Sequence, residues 1–169
     1  MAPVCYVRVN EVCRDFRCPT RETPPVRASA TAAAGFLLAV LWFDLMFDVQ
    51  ARTGADEAVE SIATYYARVT TAARPMNRLV ALVMLALLAS LVAEVTGDAV
   101  PAWVAWTSLL LAVVPIGLAV TTTVPAAMRL GQRTDPPDVR RRAALHILRQ
   151  HIVCFVFMAA VLAVQLTAA

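Results

Sequence analysis

The chain has 169 residues, of which 60% are hydrophobic and 16% are charged, and its mean hydropathy is +0.66. This composition lies outside the range of ordinary soluble domains and indicates one compact membrane domain. The formal charge of +3 comes from 15 basic residues, all of them arginine, against 12 acidic ones. The arginines lie between apolar segments and at their ends, so membrane topology accounts for them and nucleic-acid binding is not expected.

The first 27 residues predict a flexible tail rather than a secretory signal. Arginines and acidic residues alternate in this segment, and no cleavable apolar stretch precedes a small-residue site. Cys5, Cys13 and Cys18 lie in the tail, and together with Cys154 they form neither a close-paired metal motif nor a disulfide framework. Cys154 lies inside an apolar run and is interpreted as a small core residue.

Four segments are long and apolar enough to cross a bilayer, which takes about 20 residues of helix. They are residues 28–49, 79–95, 102–124 and 145–166. The sequence therefore predicts an all-α, polytopic membrane protein, in which residues 28–169 form a four-transmembrane-helix bundle. Arg78 and Glu94 frame the second span, and we expect their side chains to reach the two membrane interfaces.

An amphipathic cytoplasmic helix is predicted between spans one and two. Over residues 56–73, Val59, Ile62, Tyr66 and Val69 share one helical face, whereas most charged side chains point elsewhere. We interpret Tyr66 and its neighbour Tyr65 as interfacial anchors, with the alternative that this helix acts as a lid and brings one of them over the polar chamber described below.

The arginine distribution predicts the orientation. Loops 50–78 and 125–144 carry nine arginines, whereas the short turn after span two and the C-terminus carry none. The positive-inside rule makes the long loops cytoplasmic and the C-terminus external, and the composition, with arginine but no lysine, is typical of GC-rich bacterial coding. The five arginines of the tail oppose this orientation. Either translation begins downstream of Met1, which we favour, or the acidic residues of the tail offset its charge.

Two acidic residues lie inside the first span. Asp44 and Asp48 are four residues apart, so both project from one helical face in the cytoplasmic half. Ionisable groups at membrane depth are costly unless paired, and they are functional candidates for that reason. The topology brings polar residues of the other spans to the same level: Asn77, Arg78, Thr121, Thr122, Thr123, Arg129, His146, Arg149 and His151. We therefore expect a polar chamber at the cytoplasmic end of the bundle.

The chamber has several interpretations. As an active site it would use His146 as the acid–base group, because imidazole exchanges protons near neutrality, while Arg149 and Arg78 would hold the developing negative charge or neutralise the aspartates. The expected ligand-binding residues are Asp48, Asn77, Arg78, Arg129 and His151. As a structural cluster, Asp–Arg pairs would lock the helices together. As a proton pathway, the two aspartates would act beside the helix break at Pro115. His146 and His151 do not share a helical face, so neither a metal nor another cofactor is expected.

The order of these pieces resembles a known family. Asn77-Arg78 opens span two, Thr123-Val124-Pro125 with Arg129 closes span three, and His146-Ile147-Leu148-Arg149 opens span four. Over residues 33–166 the pattern is similar to the four-helix membrane proteins of the uncharacterised (domain of unknown function) family that includes anthrone oxygenases. The resemblance implies a lipophilic pocket in which His146, Arg149 and Asp44 are the acid–base residues, without a metal or flavin.

The sequence thus predicts a multi-pass protein of the bacterial inner (plasma) membrane that binds a small lipophilic molecule in its polar chamber. Whether it is an enzyme stays open, with oxygenase-like chemistry implied by the resemblance. The alternatives are a small proton-coupled transporter and a structural or accessory membrane subunit. The expected partners are membrane lipids, the lipophilic molecule and a second copy of the chain.

Overall fold

The computed structural model describes residues 25–97 and 100–167, and within these ranges every regular element is helical. The six α-helices are α1 Pro25–Asp48, α2 Asp56–Thr71, α3 Arg74–Thr96, α4 Ala102–Leu118, α5 Val124–Gln132 and α6 Pro137–Thr167. A 3₁₀ helix, Val49–Thr53, follows α1, and a π-helical turn, Ala119–Thr123, joins α4 to α5. Most of the predicted tail, including its three cysteines, lies outside the described residues.

Four helical segments are long and apolar enough to cross a membrane, which confirms the predicted all-α, four-span class. They are Pro25–Thr53, Pro75–Thr96, Ala102–Gln132 and Pro137–Thr167. The fourth segment begins eight residues before the predicted span, because apolar composition marks the stretch inside the hydrocarbon and not the polar turns that continue the same helix. Asp138 lies in its first turn, where a carboxylate complements the positive end of the helix dipole.

The core of the bundle joins α1, α3, α4 and α6. Its fully buried side chains include Ala30 and Ala34 of α1, Leu87 and Leu91 of α3, and Val161 of α6. Alanines on α1 allow its backbone to approach α6 and α3 closely, which is how helices gain packing energy in a lipid environment. The sequence of small residues and leucines thus produces a narrow bundle in which most of the apolar surface faces outward.

The amphipathic helix α2 packs across the arginine-rich end of the bundle, as its hydrophobic face predicts. Ile62, Ala63 and Tyr66 are buried against α5 and α6 in a second apolar cluster. Glu60 on the outer face of α2 forms ion pairs with Arg133 (3.0 Å) and Arg140 (2.8 Å). Helix α2 is therefore held over the bundle by apolar burial beneath and by ion pairs at its edge.

The break in span three occurs at Pro115 and the turn after it. Proline lacks an amide proton and removes one helical hydrogen bond. The chain then adopts the π turn Ala119–Thr123, in which Thr121 donates to the Gly117 carbonyl (2.7 Å) and Thr122 to the Leu118 carbonyl (2.8 Å). Such turns widen a helix locally and are frequent at functional sites. The turn lies beside the polar groups described next.

Candidate functional site

The centre of the site is Asp48, whose side chain is 0% exposed. Asp48 ends α1, and both of its carboxylate oxygens are engaged: Tyr66 of α2 donates to Oδ1 (2.8 Å) and His151 Nδ1 of α6 donates to Oδ2 (2.6 Å). The imidazole nitrogen is the donor because a carboxylate only accepts. A buried carboxylate is tolerated when hydrogen bonds replace its hydration, so this network ties α1, α2 and α6 together.

Asp44 lies one turn earlier on the same face of α1 and is only partly buried. Its Oδ1 accepts a hydrogen bond from Tyr65 (2.6 Å). The Tyr65 ring is fixed by stacking on Phe47, with centroids 4.3 Å apart, and by edge contact with Tyr66 at 5.2 Å. The consecutive tyrosines of α2 therefore each serve one of the two aspartates.

Both tyrosines stay protonated over the physiological pH range. Burial raises the pKa of Tyr65, and the negative charge of Asp44 raises it further. Burial also raises the pKa of Tyr66, with Asp48 as the next cause. Each effect penalises the phenolate, so both phenols act as stable donors. The amphipathic helix turns both tyrosines inward, so α2 lies as a lid that brings them over the two aspartates.

A cavity of about 400 Å³ opens beside this network, and all six α-helices contribute to its wall. We call it the lateral cavity. Asp44, Tyr65, Tyr66 and His151 line its polar end, and most of the remaining lining is apolar. Three large apolar side chains of the lining are exposed: Met76, Val120 and Val124. They mark an open side between α3 and the junction of α4 with α5, within membrane-length helices.

The structure brings some of the predicted site residues together and separates others. Asp44, Asp48 and His151 share one network, and Asn77 lines the lateral cavity while its amide donates to the Val69 carbonyl at the end of α2 (2.7 Å). The remaining four, His146, Arg149, Arg78 and Arg129, are exposed and do not line the cavity.

These separations follow from helix geometry. His146 contacts Gln150 (Nε2 to Nε2, 2.9 Å), and Arg129 pairs with Asp135 (3.3 Å) on the surface. His146 and Arg149 are turned away from His151 because residues five and two positions apart on α6 lie on different faces. The predicted catalytic group of His146, Arg149 and Asp44 is therefore not assembled, and the aspartates pair with phenols and an imidazole rather than with arginines.

A second buried polar network lies toward the opposite end of the bundle, and sequence reasoning missed it. Glu94 of α3 is 1% exposed and accepts a hydrogen bond from the amide of Gln165 on α6 (2.7 Å). The same amide nitrogen contacts Ser108 of α4 (3.2 Å), and Arg27 of α1 donates to the Gln165 carbonyl. The prediction that Glu94 reaches the interface is wrong, because the side-chain amide of Gln165 on α6 replaces water as its hydrogen-bond donor.

A signal for this second network is present in the sequence. Glu94, Ser108 and Gln165 are polar residues inside or at the edge of apolar runs, and such residues are rare unless they face the bundle interior. Their mutual pairing depends on how each helix is rotated about its axis, and the hydropathy of a single span contains no information on that rotation. Both ends of the bundle thus hold polar groups engaged in interhelical hydrogen bonds.

Fold and site together define a four-span helical membrane protein whose intramembrane polar groups join its helices to one another. A family model described as SHR3_chaperone, ER membrane protein SH3, matches residues 27–169. The chain therefore belongs to the SHR3 chaperone family. No curated protein matches the chain, and neither does any solved structure.

The family corrects several expectations. The resemblance to the family that includes anthrone oxygenases is wrong, because the matching family is a different one. The main functional expectation, an oxygenase-like protein that binds a small lipophilic molecule, is wrong for the same reason, and the accessory-subunit alternative fits better. The assignment to a bacterial inner membrane is also wrong, since the family is one of the endoplasmic reticulum (ER), an organelle that bacteria lack. The resemblance rested on short motifs of two to four residues, which do not define a family by themselves.

Proposed function

We propose that this chain is an accessory protein of the ER membrane that acts as a chaperone for other membrane proteins. It would bind their membrane-spanning segments while these are unassembled and keep them from aggregating. The observation that carries the proposal is the chaperone family match over residues 27–169, which covers all four membrane-length helices.

The exposed apolar surface of the bundle supports this function. Leu82 and Leu85 on α3 are more than half exposed, and so is Leu110 on α4. In a bilayer such side chains contact either lipid tails or other helices, and association with another helix is driven by packing and hydrogen bonds. A narrow bundle with long outward faces offers lateral contact area that a client helix can use without leaving the membrane.

The internal pairing of polar groups is also consistent with a chaperone. A protein that meets unassembled membrane segments must keep its own helices associated. The Asp48 network and the Glu94 network join α1 to α6 and α3 to α6 at the two ends of the bundle. Interhelical hydrogen bonds of this kind contribute about 0.6–2 kcal/mol each in membrane proteins.

The test is the state of a newly made membrane protein in microsomes. A polytopic membrane protein is translated into ER microsomes from cells that lack this chain, with and without the chain restored. After detergent extraction, size-exclusion chromatography gives the fraction that is monodisperse. We expect that fraction to rise several-fold when the chain is present, with no change for a soluble secreted protein translated in parallel. An equal fraction in both preparations, or an equal rise with an unrelated four-span protein, contradicts the proposal.

A further inference from the structure

At the polar end of the lateral cavity, two carboxyl groups, Asp44 and Asp48, lie beside one imidazole, His151. Each carboxylate oxygen of Asp48 accepts a hydrogen bond, one from Tyr66 and one from His151. Asp44 accepts one hydrogen bond, and its donor, the Tyr65 phenol, is neutral. His151 is the one basic side chain among the residues that line the cavity, and it is bonded to Asp48 rather than to Asp44. With both carboxyl groups ionised, even a protonated His151 would leave one net negative charge at this end of the cavity.

An anion at this depth favours a cationic partner from outside the bundle. Carboxylates inside membrane-length helices are stable when they are paired or face a water-filled space. Three arginines of this end are paired with other carboxylates: Arg129 pairs with Asp135, and Arg133 and Arg140 pair with Glu60. Among the side chains that the structure describes, no arginine forms an ion pair or a hydrogen bond with Asp44.

The shape of the cavity fits a long side chain with a charged end. Its walls are mostly apolar, with Leu41, Val80 and Met84 among the lining residues, and its polar groups gather at one end. Lysine and arginine combine an apolar stem with a cationic head, and they bury the stem while the head reaches a polar site. The open side at Val120 and Val124 lies within a membrane-length helix, so such a side chain can enter from a neighbouring helix.

We propose that the lateral cavity binds a lysine or arginine side chain carried by a transmembrane helix of a client protein, with the Asp44 carboxylate as its ionic partner. This inference rests on the proposed chaperone function and names the class of segment that is recognised. Basic residues inside a transmembrane helix are costly to leave in lipid before the client is assembled. A carboxylate in an apolar cavity lowers that cost until the client protein is assembled.

The experiment measures binding of designed helices to the purified full chain in lipid nanodiscs. Three labelled peptides share a Leu/Ala transmembrane sequence of about 20 residues and differ at the central position, which is Lys, Leu or Glu. Fluorescence anisotropy gives each dissociation constant. We expect the Lys peptide to bind at least ten-fold more tightly than the Leu peptide, and the Glu peptide to bind most weakly. Asp44→Asn should abolish the preference for Lys, and Asp44→Glu should retain it.

Two further variants serve as controls: one changes the net charge away from the cavity, and the other changes the cavity while Asp44 is kept. Glu57→Gln removes one negative charge from an exposed position of α2 outside the cavity, so the preference for Lys should persist. Ala81→Leu narrows the cavity while Asp44 stays in place, and it should weaken binding of the Lys peptide. If Asp44→Asn does not fold, Ala81→Leu still tests whether the Lys peptide binds in the cavity.

The outcomes separate this inference from the chaperone function. Equal binding of the Lys and Leu peptides to the parent protein overturns recognition of a basic side chain but leaves chaperone function intact. An unchanged preference in Asp44→Asn or Ala81→Leu overturns the site. A preference that Glu57→Gln removes as fully as Asp44→Asn also overturns it, because bulk charge then explains the effect. The microsome assay, which uses no designed peptide, tests the chaperone function separately.

Discussion

The contact between α2 and α5 at Gly131 provides the sharpest test of how the bundle is closed. A Cβ atom added to Gly131 would lie 2.8 Å from the Ala67 nitrogen and 3.0 Å from the Tyr66 carbonyl carbon. These are backbone atoms, which cannot rotate away as a side chain does. Since ordinary van der Waals contact begins at 3.4 Å, Gly131→Ala must part the two helices by about 0.6 Å.

The expected cost follows from overpacking, which destabilises a well-packed site by about 1–3 kcal/mol. Replacing Gly by Ala inside a helix also gains up to about 1 kcal/mol from helix propensity. Gly117→Ala isolates that gain, because a Cβ at Gly117 meets nothing within 4 Å. We therefore expect Gly131→Ala to be less stable than Gly117→Ala by about 1–3 kcal/mol.

The assay is thermal unfolding of the detergent-purified variants, followed by intrinsic tryptophan fluorescence. For a chain of this size, 1 kcal/mol corresponds to about 2–4 °C in Tm. Gly131→Ala should therefore unfold several degrees below Gly117→Ala. If the two variants unfold at the same temperature, α2 does not approach α5 as closely as described, and the positions of Tyr65 and Tyr66 over the aspartates lose their support.

Three further predictions concern the polar networks. Tyr66→Phe leaves an oxygen of the fully buried Asp48 without its donor and should lower the free energy of unfolding by about 1–3 kcal/mol. Tyr65→Phe should lower it by less, because Asp44 is partly exposed. Equal losses in Tm for the two variants would contradict this ranking. Because folding raises the pKa of Tyr65 and Tyr66 above the unfolded value of about 10, their stabilisation is complete below that pH and is lost as pH rises through the folded pKa values. A Tyr6→Phe variant leaves these as its two tyrosines, and its phenolate absorbance at 295 nm should stay low at pH 10–11; titration near pH 10 in the folded protein would refute the buried hydrogen bonds. Gln165→Leu removes the donor to Glu94 and should lower stability by about 1–3 kcal/mol. Ser108→Ala loses only the longer contact to Gln165 and should lower stability by less than half as much. The reverse order of the two losses would contradict the network.

The polar site was only partly accessible to prediction. The four-residue spacing of Asp44 and Asp48 was enough to place both on one face of α1 and to mark them as costly groups. The partners of the two aspartates could not be predicted in the same way. Arginine is the commonest partner for aspartate, yet Asp44 and Asp48 pair with Tyr65, Tyr66 and His151. The choice depends on how α2 and α6 are placed and rotated relative to α1, which no pattern within a single helix encodes.

The sequence by itself determined the class of the protein. Apolar length defined four spans, because a helix that crosses the hydrocarbon needs about 20 residues and satisfies its own backbone. The period of Val59, Ile62 and Tyr66 determined which face of α2 is buried. Both signals are local, since each depends only on residues within one helix.

Only the tertiary structure decided which polar groups meet. The spans are apolar around much of their circumference, so their sequences contain little information on how each helix is rotated about its axis. That rotation buries His151 and exposes His146, five residues earlier on α6, and it turns Glu94 toward Gln165. In a membrane helix the lipid does not distinguish one apolar face from another, so the packing of all four spans sets the rotation and, with it, the site.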